Sequence, residues 1–200
     1  AVGFSGLKAN TEGHSNTTIG SEAGDSITTG DENVAIGHGA LDGATTVDGN
    51  TAVGTDAMGG ALTGGYNTAV GYNAMLVATG VTGTVAIGNQ CLDAATTGDN
   101  NTGVGAGALG ANTTGHSNVA VGHNAGAAVT SGTNNVLLGK NSGDAITTGA
   151  VNTAIGDGSL GALTASTNPN VAVGGNALIT MTDGDGGNTA CGYRTLEALT

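Results

Sequence analysis

The stretch "TDGDGGN" at residues 182–188 places Asp183, Asp185 and Asn188 in one glycine-rich loop. Alternating oxygen-bearing side chains of this kind are what a calcium ion takes as ligands. The other groups able to do chemistry are the rest of fifteen Asp and Glu, four His and two Cys. Catalysis needs a singular arrangement in a shielded pocket. Here the candidates recur at equivalent places of a repeated phrase: Asp25, Asp42, Asp93, Asp144 and Glu197 share one place, His38 and His123 another, His14 and His116 a third. A repeating surface offers the same shallow chemistry many times. The sequence therefore predicts no enzyme, no catalytic residue and no cofactor. The acids read as solvated turn carboxylates, and calcium at Asp183, Asp185 and Asn188 is the weaker reading.

The phrase itself is N-T-A-V-G, seen in "NTAVGTDAM" from Asn50, "NTAVGYNAM" from Asn67 and "NTGVGAGAL" from Asn101. With its Asn as position 1, units start at residues 16, 33, 50, 67, 84, 101, 118, 135, 152, 170 and 188, at spacings of 17 and finally 18. A partial unit precedes them, giving about twelve repeats in one continuous segment over residues 1–200. Self-similarity at a fixed short period marks a solenoid. Position 5 is Gly throughout, as at Gly54, Gly71, Gly105 and Gly122, so every unit needs positive φ or close backbone approach there. Position 1 is Asn in all but the unit at Thr84, and stacked coils would join Asn50, Asn67, Asn101 and Asn118 to their neighbours in a hydrogen-bonded ladder. All the acids fall at positions 6, 7, 10, 14, 16 or 17, the bends and one exposed stripe.

Positions 1–5 read as a strand, in which alternate side chains point to opposite faces. The expected core is position 4 (Val53, Val70, Val104, Val121) with positions 9 and 12, leaving Ala at 3 and Gly at 5 as a flat uncharged outer strip. The second arm, apolar at 8, 9 and 12, suits a single helical turn better than a strand; Leu196 and Leu199 would point inward around an outward Glu197. Positions 9 and 12 share one volume: Gly24, Gly126 and Gly143 at 9 go with Ile27, Val129 and Ile146 at 12, whereas Leu or Met at 9 in the first seven units goes with Ala or Asn. Leu160/Leu163, Leu178/Met181 and Leu196/Leu199 break the pattern, as expected if the coil widens there. Thr at 13 closes the coil. Cys91 and Cys191, six coils or roughly 29 Å apart by the strand spacing, are too distant for a disulfide and read as small buried hydrophobes. Asn-x-Thr sequons stand at Asn16, Asn100 and Asn112.

Composition narrows the partners. A net charge of −12 with three Lys and Arg makes nucleic acid a poor partner, since phosphate binding needs cations. No apolar run reaches the roughly 20 residues needed to cross a bilayer, so membrane insertion is not expected. The chain opens and closes in mid-phrase, as expected of an interior piece of a longer fibre. A long uncharged strip seldom stays in water, so a homo-oligomer is expected.

The N-[TV]-A-[VI]-G repeats resemble those of trimeric autotransporter adhesin heads and of repetitive phage tail-fibre shafts, over essentially the whole chain. The resemblance implies a β-roll in a homotrimer, an extracellular place, and any receptor or glycan contact outside this segment. The fold expected is thus a mainly β repeat solenoid of parallel stacked coils of 17–18 residues. The function expected is the structural shaft of an attachment fibre, with an ice-binding solenoid using a flat Thr/Ala face as the alternative.

Overall fold

The computed structural model describes residues 1–165, 169–182 and 186–197; Asp183, Asp185 and Leu199 lie outside them. Three-residue strands recur once per coil: β1 (Thr17–Ile19), β2 (Val34–Ile36), β3 (Thr51–Val53), β4 (Thr68–Val70), β5 (Val85–Ile87), β6 (Thr102–Val104), β7 (Val119–Val121), β8 (Val136–Leu138), β9 (Thr153–Ile155), β10 (Val171–Val173) and β11 (Thr189–Cys191). They form one all-parallel sheet in chain order. Each residue pairs with its own repeat position in the next coil, as Thr51 with Thr68 and Val53 with Val70. The 18-residue spacings do not disturb this, because Thr153 pairs with Val171 and Val171 with Thr189. The chain is a mainly β repeat solenoid.

The strand faces are the reverse of the expected ones. Ala35, Ala52, Ala69, Ala86, Ala120, Ala154 and Ala172 at position 3 are fully buried. Val53, Val70 and Val104 at position 4 are half-buried and Val121 is exposed, on the outer face. Alternation fixes which residues travel together, not which set faces in. The coil interior is too thin for Val at 4 opposite Leu at 9, and Ala fits. Three local exchanges show positions 3, 8 and 9 in contact across this interior. Leu137 replaces Ala at 3, and Cβ atoms built on Gly126 and Gly143 would lie 2.6 and 2.7 Å from its methyls. Gly103 replaces Ala where Cys91 replaces Ala at 8; a Cβ on Gly103 would lie 2.6 Å from Cys91 Sγ. Gly24 accompanies Thr18 at 3, with Thr18 Cγ2 3.1 Å from a Cβ built there. Volume is conserved as close packing requires.

The described residues contain no helix, so the second arm is not a helical turn. It is a run of turns with left-handed backbone at position 7 (Asp56, Asn73, Gln90) and position 9 (Leu41, Met58, Met75, Leu92, Leu109). These two left-handed residues bend the chain around position 8, so that neighbours such as Ala74 and Met75 are both buried. The 9/12 exchange holds for Ile27, Val129 and Ile146, all fully buried. Three coils depart from it: Leu160 with Leu163 and Leu178 with Met181 are large and buried at both positions, and Ala61 at 12 is exposed while Leu62 turns inward instead. Leu196, expected inside, is 46% exposed.

Position 5 meets both demands that glycine answers. Gly54, Gly71, Gly105 and Gly122 have φ of +133°, +139°, +136° and +137°. A Cβ on Gly54 would lie 2.5 Å from the Gly71 carbonyl oxygen. Glycine here lets coils stack; it is not an outer strip.

Candidate functional site

Two ladders hold the coils together. Asn118 Nδ2 donates to Asn101 Oδ1 (3.2 Å) and to the Gly132 carbonyl of its own coil (2.8 Å), while its Oδ1 accepts from the Asn135 backbone N–H and Nδ2 (both 3.0 Å). Asn67 repeats this with Asn50 Oδ1 (3.1 Å) and the Val81 carbonyl (2.7 Å). Each of these amides is buried. The Asn188 amide belongs to the same ladder, donating to Asn170 Oδ1 at 3.2 Å. At Thr84 the hydroxyl stands in for the amide oxygen, accepting the Asn101 N–H at 3.2 Å. The second ladder runs at position 13, where Thr96 Oγ1 donates to the Thr113 carbonyl (2.9 Å) and Thr113 Oγ1 to the Thr130 carbonyl (3.1 Å).

The outer face of the sheet carries two columns. Position 2 holds Thr or Val, half-buried except at Thr17 and Thr189. Position 4 holds Val, Ile, Leu138 and Cys191, and among them Ile19, Ile87, Val121 and Ile155 are exposed. Neither column contains a charge along β1–β11. Cys191, expected to be buried, is exposed because position 4 faces out. Cys91 is buried as expected, and burial pushes its thiol up to about 12. The chain's aromatic residues are one Phe and three Tyr, and all of them are exposed: Phe4 79%, Tyr66 71%, Tyr72 53% and Tyr193 73%. None helps to fill the core. Phe4, Tyr72 and Tyr193 occupy position 6, just past the strand, and Tyr66 occupies position 17, just before it.

Acidic groups gather on the second arm. His38 lies 3.7 Å from Glu22 and 3.8 Å from Asp56. Burial holds the carboxyls of Asp42, Asp93 and Asp144 above the usual range, helped at Asp42 by Asp25, Asp56 and Glu22. These three head a pattern the 17-residue period conceals. From Asp42 onward, after Asp25 in the preceding coil, position 10 runs Asp42, Gly59, Leu76, then Asp93, Gly110, Ala127, then Asp144, Gly161, Ile179, a three-coil period over nine coils. Each glycine lies under an acid: Cβ atoms on Gly59, Gly110 and Gly161 would sit 3.6, 3.5 and 3.7 Å from an oxygen of the preceding Asp. At the third triplet this leaves an open groove of about 330 Å³ lined by Lys140, Asp144, Asp157, Gly161 and Ile179 among others. Among the described residues no group of three or more His, Cys, Asp or Glu could hold a metal ion, and no helix is long and apolar enough to cross a membrane. Asn112, one of the three sequons, is fully buried at position 12.

Comparison with known protein families, with curated proteins and with solved structures finds no match for this chain.

Proposed function

We propose that the chain is a structural shaft: a stiff spacer segment of an extracellular, homo-oligomeric attachment fibre. The observation that carries this is the unbroken stacking, eleven strands in one register with a buried Asn ladder beside them. Every coil has nearly the same section, so load passes along backbone hydrogen bonds from one coil to the next. The buried amides and the short strands leave little backbone for a protease to enter. The resemblance of the repeat to adhesin heads and tail-fibre shafts supports the extracellular place and the trimer, with neither catalysis nor a cofactor required. Receptor or glycan recognition then belongs to other segments of the fibre.

The test is the molar mass in solution, by light scattering after size exclusion. Three times the chain mass supports the trimeric shaft; a folded monomer removes the oligomer. A second reading is favoured by one feature. The Thr side chains of position 2, including Thr51, Thr68 and Thr102, stand in one column on the outer face of the sheet, and ranked Thr is what an ice plane requires. Thermal hysteresis shown by a monomer would turn the assignment to that reading.

A further inference from the structure

We infer that the Thr/Val face of the sheet is the surface through which copies of this chain associate, with the exposed aromatics along its edges as anchors. This rests on the homo-oligomeric reading above and names the partner of one face. Strand spacing makes the face roughly 50 Å long, and the four residue steps from position 1 to position 5 make it about 13 Å wide. The footprint is about 650 Å² per copy, so that a pair would bury about 1,300 Å², within the range of a stable protein interface. Its anatomy fits as well. The centre, columns 2 and 4, has no charge, while His38, His123, Lys140, Asp157 and Glu32 stand at the edges in positions 6 and 17. An uncharged centre, aromatic anchors and a polar rim are the composition of a buried contact. The four aromatics stay outside the core, which Ala, Leu, Met and Ile fill without them.

A second copy is the occupant that matches. Columns 2 and 4 are ruled at one strand spacing for eleven coils, and side chains can interdigitate along that whole length only with a surface ruled the same way. The chain supplies such a surface itself. A charged partner finds nothing at the centre to recognise.

Val104→Lys and Val121→Lys each place an ammonium in the middle of the face without touching the core, while Thr114→Lys places one on an exposed bend elsewhere. Light scattering should show the first two reduced to monomers at concentrations where Thr114→Lys and the unmutated protein remain assembled. All should keep a cooperative melt. Cys191 is an independent reporter, because it lies in column 4 while Cys91 is buried. In the unmutated protein its maleimide reaction should be at least tenfold slower than that of the thiols in denaturant. Assembly that survives both column-4 lysines, or a Cys191 that reacts as fast as in denaturant, overturns the face while leaving the fibre reading. A monomeric unmutated protein overturns both.

Discussion

Gly105 sits at φ +136°, and a Cβ there would lie 2.6 Å from the Gly122 carbonyl carbon and 3.2 Å from the His123 nitrogen. A side chain at this position therefore meets two independent obstacles, a disfavoured backbone and the next coil. Gly105→Val should destabilise by about 3 kcal/mol, the scale of a strained backbone position. Asp99 gives up only one exposed hydrogen bond, its carboxylate accepting the Thr82 N–H at 2.8 Å. Asp99→Ala should cost about 0.5–1.5 kcal/mol. Thermal melts of the two variants check the order, and equal midpoints would contradict this account of position 5. Asn112 presents the opposite case. It is fully buried at a place where Ala44, Ala78 and Ala95 stand in other coils, and neither its Oδ1 nor its Nδ2 has a hydrogen-bond partner. Removing an unpaired buried amide relieves a desolvation penalty of about 1–3 kcal/mol, less what the lost contacts contributed. Asn112→Ala, which restores the Leu/Ala pair of Leu92 and Ala95, should leave the melting temperature unchanged or raise it. A clear fall in the midpoint would show that the amide is paired in solution.

The Asn column is where the element derives its directionality. The amide oxygens accept from the next coil, and at Asn33, Asn67, Asn101, Asn118 and Asn135 the Nδ2 also reaches its own coil's position 15, as Asn135 does with the Gly149 carbonyl at 2.9 Å. Asn118→Ala would leave the Gly132 carbonyl and the Asn135 amide short of partners in a buried site, a loss of about 2–4 kcal/mol by the usual scale for unsatisfied groups. Asn118→Thr should cost less, since Thr84 shows that a hydroxyl can accept from the following N–H. Thr84→Asn should in turn raise stability by about 1 kcal/mol by completing the column. Chemical denaturation of the three variants gives the ranking, and Asn118→Thr falling with Asn118→Ala would disprove the substitution role of Thr84. The column was legible in the sequence because one polar residue recurred among apolar ones. The faces of the strand were not: alternation left two assignments, and the larger Val was given the interior that Ala fills. Nor was the second arm, since Leu or Met in left-handed backbone, as at Met58 and Leu92, contradicts local preference. Position 7, rich in Asn and Gly, carried the only local sign of left-handed backbone there.

Period and stacking of the solenoid were legible because every coil repeats them, and the outer face was misplaced because it followed from the inverted strand. Of the proposed calcium loop, Asp183 and Asp185 lie outside the described residues, and Asn188 is engaged in the ladder. What the whole molecule does with its charge is open to measurement. Burial is the main cause that raises the carboxyl pKa values of Asp42, Asp93 and Asp144 from an ordinary 3.8. A raised acid binds its proton more tightly when folded, so folding favours the protonated form. Its stabilising contribution is complete below the unfolded value near 3.8 and is lost as pH rises through the folded value. Glu197 runs the other way, its carboxyl lowered by the hydrogen bonds of Arg194 at 2.6 and 2.8 Å. That pair is fully solvated and counts for little. With a net charge of −12, partial protonation also relieves repulsion along the rod. The melting temperature should therefore rise as pH falls from 7 toward 4, against the usual direction for acid denaturation. In an Asp42→Asn, Asp93→Asn, Asp144→Asn variant the rise should be smaller, because the three groups that bind protons on folding are gone. A full pH dependence in that variant would move its origin to the other carboxylates, and a midpoint falling toward pH 4 in the unmutated protein would overturn the account in which burial of these three carboxylates costs stability at neutral pH.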